Sequence, residues 1–144
     1  MKYDVVVVGS GPAGSVTAGY AAKAGAKVLI LERRAEVGVP VLCGEGISKN
    51  VDNFEMLKGT RRWIANKMDG ARIYAPDGTR VTLAAERAGN EAGYVIYRDI
   101  FDQTLASAAI RWGAELKLNT NELAQFEKSL SHVKQLAAEV DNLL

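Results

Sequence analysis

Val5-Val6-Val7-Val8-Gly9-Ser10-Gly11-Pro12-Ala13-Gly14 sets an apolar run directly against glycine-rich punctuation. The run from Tyr3 to Val8 reads as a β-strand, and the glycines fit the G-x-G-x-x-G pattern, in which each has its own physical task. Gly9 lets the chain turn sharply out of the strand. Gly11 lacks the Cβ that would keep a diphosphate from the backbone, and Gly14 lets a helix pack closely on the strand. Small residues at helical spacing from Ala13 to Ala24 predict that helix, and Gly25 stops it. Its N-terminus offers unpaired N–H groups and a partial positive charge to phosphate. Lys27 to Leu31 is a second apolar strand, continuous rather than alternating, as in a parallel sheet buried on both faces. A right-handed βαβ unit follows.

The glycine pattern alone is a weak signal, since many loops carry it. Here it follows a strand and opens a helix, and Glu32 stands 18 residues beyond Gly14, at the end of the second strand. A carboxylate there accepts hydrogen bonds from ribose hydroxyls and repels a 2′-phosphate, which disfavours NADP. FAD and NAD share this fingerprint. The bland alternative is a glycine turn beside a surface glutamate.

Composition bounds the rest. The 144 residues are 48% hydrophobic and 24% charged, the balance of one soluble globular domain. With 18 basic and 17 acidic side chains, the net charge of +1 gives no field to recruit nucleic acid or an anionic membrane. Cys43 is the only cysteine, which rules out an internal disulfide and argues against a structural zinc cluster; no metal site is expected, and a reducing, cytoplasmic setting fits. The first apolar run is too short for a signal peptide, and no stretch approaches the roughly 20 apolar residues of a membrane span, so membrane contact is expected to be peripheral at most. His132 has no second ligand or nucleophile nearby, and neither a P-loop nor a Ser/His/Asp arrangement occurs.

Beyond the βαβ unit, residues 35–60 carry Gly38, Pro40, Gly44 and Gly46 and read as a long loop ending in a helical stretch near Val51 to Leu57; loops of that length are usually functional. Ala71 to Leu83 around Pro76-Asp77-Gly78 predicts a β-hairpin, which a short strand at Tyr94 to Tyr97 could join. Asp99 is a candidate N-cap for a helix over 100–112, with Phe101, Leu105, Ala108, Ala109 and Trp112 on one face and Gly113 as the stop. Ala114 to Leu118 is expected to be a third strand of the main sheet. Trp63 and Trp112 read as core residues. Leu123, Phe126, Leu130, Val133, Ala137, Val140 and Leu144 alternate in steps of three and four, so 121–144 is a C-terminal amphipathic helix that either packs on its own domain or self-associates as a coiled coil. The organisation expected is therefore a partial nucleotide domain over 1–120 and a heptad-patterned tail over 121–144.

The run from Tyr3 through Gly14, followed by Glu32-Arg33-Arg34-Ala35-Glu36-Val37-Gly38, resembles the glutathione-reductase-type FAD-binding class. Pro40-Val41-Leu42-Cys43-Gly44-Glu45-Gly46-Ile47-Ser48 narrows the likeness to the geranylgeranyl reductase family, in particular the archaeal digeranylgeranylglycerophospholipid reductases. Lys67, Gly70-Ala71-Arg72-Ile73-Tyr74 and Gly93-Tyr94-Val95-Ile96-Tyr97-Arg98-Asp99 with Phe101-Asp102 extend it over residues 2–118 in order.

The resemblance implies an α/β fold with a Rossmann-like FAD-binding core, a small antiparallel β insert and FAD as cofactor. It implies that Gly9, Gly11, Ala13 and Gly14 embrace the FAD diphosphate, that Glu32 holds the adenosine ribose, and that Cys43, Gly44 and Gly46 bring the loop against the flavin. Arg98 would contact FAD, and Arg33 and Arg34 either steady the anionic cofactor or lie exposed. Cys43 and Glu45 are candidate catalytic acids, against a buried space-filling thiol and a solvated loop charge. The implied activity is saturation of isoprenoid double bonds in membrane lipid precursors, fed by an external electron donor whose nature stays open. Other readings are a different FAD-dependent oxidoreductase, such as a monooxygenase, or a non-catalytic nucleotide-binding or oligomerising module. The family's later Gly-Asp motif and substrate domain have no counterpart here, so the chain is expected to be a truncated form or fragment, or to carry a foreign helix in their place.

Overall fold

A computed structural model describes residues 2–84 and 93–120. The expected helix over 121–144 lies outside the described residues.

The valine run forms β1 (Val5–Val8), and the glycine turn leads into α1 (Pro12–Lys23) and then β2 (Val28–Leu31). Pro12 at the start of α1 has its ring torsion preset for a helix and lacks an N–H that would have no intrahelical partner there. Gly25 ends the helix at φ +96°, a left-handed geometry that costs glycine least. β1 and β2 run parallel, Val5 opposite Val28 and Val8 opposite Leu31.

β3 (Gly46–Ser48), two 3-10 turns (Lys49–Asn53 and Glu55–Leu57), β4 (Ile64–Met68), β5 (Gly70–Tyr74), β6 (Arg80–Ala84) and β7 (Gly93–Ile96) follow. α2 (Arg98–Arg111) and β8 (Glu115–Lys117) return the chain to the main sheet, where β8 pairs in parallel with β2, giving the order β1-β2-β8. Val28, Leu29 and Ile30 are all buried, as continuous hydrophobicity implied for the second strand. β1 behaves differently. It is an edge strand among the described residues, and Val6 and Val8 stay 52% and 51% exposed on the face away from the helices.

α1 and α2 pack together on the other face. A Cβ on Gly19 would come within 2.7 Å of Met56 and 3.3 Å of the Ala109 backbone, so this helix pair owes its closeness to small residues on both sides. Ala18, Ala22, Val28, Ile30, Leu105, Ala108 and Ala109 form the core between helices and sheet. Trp63 is fully buried and meets Tyr94 and Phe101 edge to face, whereas Trp112 is half-buried against Tyr20 and Lys23.

Three sequence expectations need correction. The hairpin forms from β5 and β6, but β7 does not join it; β7 is the centre of a separate antiparallel sheet, β3-β7-β4. Gly93 explains the pairing, since any Cβ there would lie 2.0 Å from the Ile47 carbonyl oxygen. The stretch near Val51 to Leu57 is two short 3-10 turns, the first capped by the Ser48 hydroxyl, which accepts from the Asn50 N–H. Finally, Tyr97 rather than Asp99 is the N-cap of α2, because Phe101 N–H already bonds the Tyr97 carbonyl; Asp99 sits in the first turn, where its charge favours the helix dipole.

Candidate functional site

The glycine turn lies where β1 meets α1. Gly9 adopts φ +93° and donates its N–H to the Leu31 carbonyl at 2.7 Å, tying the turn to the end of β2. A Cβ on Gly14 would stand 2.0 Å from the Gly9 carbonyl oxygen, so the helix can begin only with no side chain there. Gly11, the N-cap, has nothing within 4 Å of where its Cβ would be, and α1 has neither a side-chain cap nor an acidic residue in its first turn. The positive end of the helix thus opens onto empty space, as a diphosphate requires.

Glu32 turns toward that mouth. Its Oε2 accepts from the Ser10 N–H at 2.9 Å and the Ser10 hydroxyl at 3.0 Å, and its Oε1 from the Arg34 N–H at 3.0 Å. Partial burial pushes its pKa up, but the backbone N–H groups of Ser10 and Arg34, the Ser10 hydroxyl and the Arg34 charge outweigh that and hold it below the usual carboxylate range. Ser10 is itself buried and accepts at its carbonyl from the Ser15 hydroxyl at 2.9 Å. Sequence reasoning passed over both serines; a hydroxyl in the first variable position of the glycine motif was the only available sign.

The loop after β2 closes the other side. Gly38, at φ +81°, touches α2 so closely that a Cβ would lie 2.8 Å from the Asp99 Cα and 3.2 Å from the Asp102 Cβ. Gly11, Glu32, Arg34, Pro40, Arg98 and Asp102 are among the residues lining a polar cavity of about 170 Å³. Ala13 and Val16 of α1, Cys43, Gly46, Ile47, Phe101 and Leu105 help to line a larger apolar cavity of about 560 Å³. Arg98 lines both. Its guanidinium is gripped by Asp102 and its backbone N–H donates to Glu45 Oε1 at 3.3 Å. The hydrogen bond to Asp102 holds the guanidinium pKa above its ordinary value.

Most of the residues singled out from the sequence therefore gather here. Gly9, Gly11, Ala13 and Gly14 form the mouth, and Glu32 stands beside it. Cys43, Glu45 and Gly46 line the apolar cavity with Arg98. Cys43 is exposed, which corrects the buried space-filling alternative. Its thiol pKa lies below the ordinary value, first because the Glu45 N–H donates to Sγ and then because the Arg98 guanidinium hydrogen-bonds it. Gly44 is exposed on the same loop and lines neither cavity, and Arg33 is exposed while Arg34 lines the polar one. No helix among the described residues is long and apolar enough to cross a membrane.

Residues 7–63 match the family described as NAD(P)-binding Rossmann-like domain. The chain is 48% identical over 128 residues to the digeranylgeranylglycerophospholipid reductase of Thermoplasma acidophilum, an alignment that covers 88% of this chain and 32% of that protein. Over most of its length this chain is similar to digeranylgeranylglycerophospholipid reductases. It spans about a third of the length of the curated relatives it matches. A solved geranylgeranyl bacteriochlorophyll reductase-like protein of Thermoplasma acidophilum superposes with a TM-score of 0.73 at 51% identity, covering 81% of this chain and 30% of that one. The myxobacterial chondrochloren halogenase, described as a FAD-dependent halogenase, shares the fold at 24% identity, with a TM-score of 0.64 over 81% of this chain and 28% of its own.

Proposed function

We propose that this chain holds FAD for a reductase that saturates isoprenoid double bonds of membrane lipid precursors, as part of a longer enzyme. The observation that carries the reading is the pair of cavities sharing Arg98. One is small, polar and bounded by the helix mouth and Glu32; the other is large and apolar and reaches Cys43. FAD has the same division, an anionic adenosine diphosphate half and a flat, largely apolar ring half. The relatives' names supply the substrate class.

The residues fit the cofactor. Gly11 leaves room for the diphosphate over α1, Glu32 has acceptor capacity for ribose hydroxyls, and the Arg98 guanidinium can neutralise phosphate between the two halves. When bound and reduced, the flavin supplies a hydride equivalent for addition to an alkene. The chain's own part is positioning and proton supply. Apolar walls formed by Val16, Ile47, Phe101 and Leu105 would keep water from the reacting region once cofactor and substrate fill the cavity. Addition of a hydride to an isolated alkene also demands a proton, and the Cys43 thiol, at the cavity wall and more acidic than an ordinary cysteine, is placed to give one. Glu45, on the same wall, is the second candidate. The isoprenoid chain would reach this wall from the apolar side, the electrons from an external donor, and contact with a membrane would be peripheral.

Titration of the flavin-free protein with FAD and with NAD, followed by quenching of flavin fluorescence and by calorimetry, tests the reading. FAD is expected to bind more tightly than NAD, and Gly11→Val to abolish binding by filling the mouth. Equal or tighter binding of NAD would overturn the FAD assignment.

A further inference from the structure

Asp102 is one of three buried polar or charged residues among those described; of the other two, Ser10 lies in the glycine turn and Ser15, in the first turn of α1, donates to the Ser10 carbonyl. Asp102 stands in the second turn of α2, 4% exposed, and both its oxygens are taken by one partner: Arg98 Nε donates to Oδ1 and Nη2 to Oδ2, each at 3.0 Å. An arginine and an aspartate four residues apart on an open helix face hold each other loosely, and such pairs contribute little to stability. Here the carboxylate is buried, while the guanidinium side chain remains a quarter exposed. Gly38 presses the loop onto the same turn, within 3.2 Å of the Asp102 Cβ had it a side chain, and Pro40 and Val41 line the polar cavity together with the pair. A carboxylate is costly to bury, and its bidentate engagement fixes the plane of the guanidinium as a single contact could not.

We propose that Asp102 is a positioning residue, whose buried carboxylate orients the Arg98 guanidinium in the wall shared by the two cavities and against the Cys43 thiol. Two charged groups face that thiol. Arg98 favours its ionised form, and Glu45 favours it through its backbone N–H while opposing it through its carboxylate. Asp102 therefore governs the acidity of Cys43 through Arg98, without touching Cys43. The catalytic meaning of this arrangement rests on the flavin reading above, but its test reads the thiol and not the flavin.

Because Cys43 is the only cysteine, the rate of alkylation of the full chain by iodoacetamide against pH reports its ionisation directly. Asp102→Asn is expected to move the midpoint of that profile upward, toward the value of about 8.5 for a free cysteine. Arg98→Lys is expected to do the same although it keeps the positive charge, since an ammonium cannot be held as a planar fork. In an Arg98→Gln background, Asp102→Asn should add no further shift. An unchanged midpoint in Asp102→Asn, or a shift that persists in the Arg98→Gln background, would overturn the proposal. Should circular dichroism show Asp102→Asn unfolded, Arg98→Lys decides alone, and a wild-type midpoint in it counts against the proposal. If neither variant folds, Asp102 serves the fold and the proposal fails. Thiol shifts as expected together with no FAD binding would overturn the flavin reading and leave Asp102 in its role.

Discussion

Glu32 accepts three hydrogen bonds at its two oxygens, all from N–H or O–H donors, so its surroundings favour the ionised carboxylate. Glu32→Gln keeps the shape but sets an amide N–H₂ against at least one of these donors. It should cost about 1.5 kcal/mol of stability, the low end of the range for a hydrogen bond to a charged group, because Glu32 is only partly buried. It should also weaken FAD binding by roughly tenfold, because the ribose would lose a charged acceptor as well. Urea unfolding and a flavin titration on the same variant measure the two effects separately; unchanged affinity would remove Glu32 from the ribose site. The contacts of Glu32 with the glycine turn were legible in its distance from the glycines. Those of Ser10 and Asp102 were not. A hydroxyl in a variable motif position says nothing until a carboxylate 22 residues away folds back onto it, and an Arg-Asp pair four residues apart looks the same whether a loop covers it or water does.

At the scale of elements, the parallel core could be read because its signals are local. A continuous apolar strand, a glycine turn, a small-residue helix and a second strand leave one topology for the unit. The partner of β7 is a non-local matter. Its apolar residues announce a strand, but β3 is only three residues long and lies inside a glycine-rich loop that reads as irregular. Gly93 is the residue that decides, through its approach to the Ile47 carbonyl. Gly93→Ala would thrust a methyl group into backbone atoms of β3, and neither strand can retreat without breaking the pairing that positions Glu45 and Gly46. A loss of about 2–3 kcal/mol is expected, the upper part of the range for overpacking. Gly44→Ala, with nothing within 4 Å of its Cβ position, should change stability by less than about 0.5 kcal/mol. Parallel thermal or urea unfolding of the two variants checks the contrast, and equal losses would show that the β3–β7 contact is not the constraint.

Across the whole molecule, ionisable groups in separate parts of the fold bound the pH range of stability from both sides. Glu32, Glu55 and Asp77 all ionise more readily in the folded chain. Glu32 is held by the donors around it against the cost of its burial, Glu55 by Lys23, and Asp77 by the Thr79 N–H in the hairpin turn. A carboxyl with a lowered folded pKa adds stability that is complete above its unfolded value and disappears as pH falls through the folded one. Tyr3 and Tyr94 are shifted the other way, each raised first by its hydrogen bond to a carboxylate, Glu115 and Asp52 respectively. Their contribution is complete below the ordinary phenol value and is lost as pH rises through the raised one. The carboxyls and phenols should therefore leave stability level between about pH 5 and pH 9 and lower it on both sides, while Cys43, which ionises more readily in the folded chain, adds to it as pH rises toward the ordinary thiol value. The two limbs have separate owners. Glu32→Gln should flatten part of the acid limb and leave the alkaline one, and Tyr94→Phe, which removes a buried ring's hydroxyl from between Asp52 and Arg61, should do the reverse. Urea midpoints followed by tryptophan fluorescence from pH 3 to pH 11, with Trp63 buried beside Tyr94 as a reporter, would resolve the limbs. An acid limb undiminished in Glu32→Gln would mean that the carboxylate is not held by the glycine turn as the hydrogen bonds require, and the cofactor mouth would have to be redrawn with it.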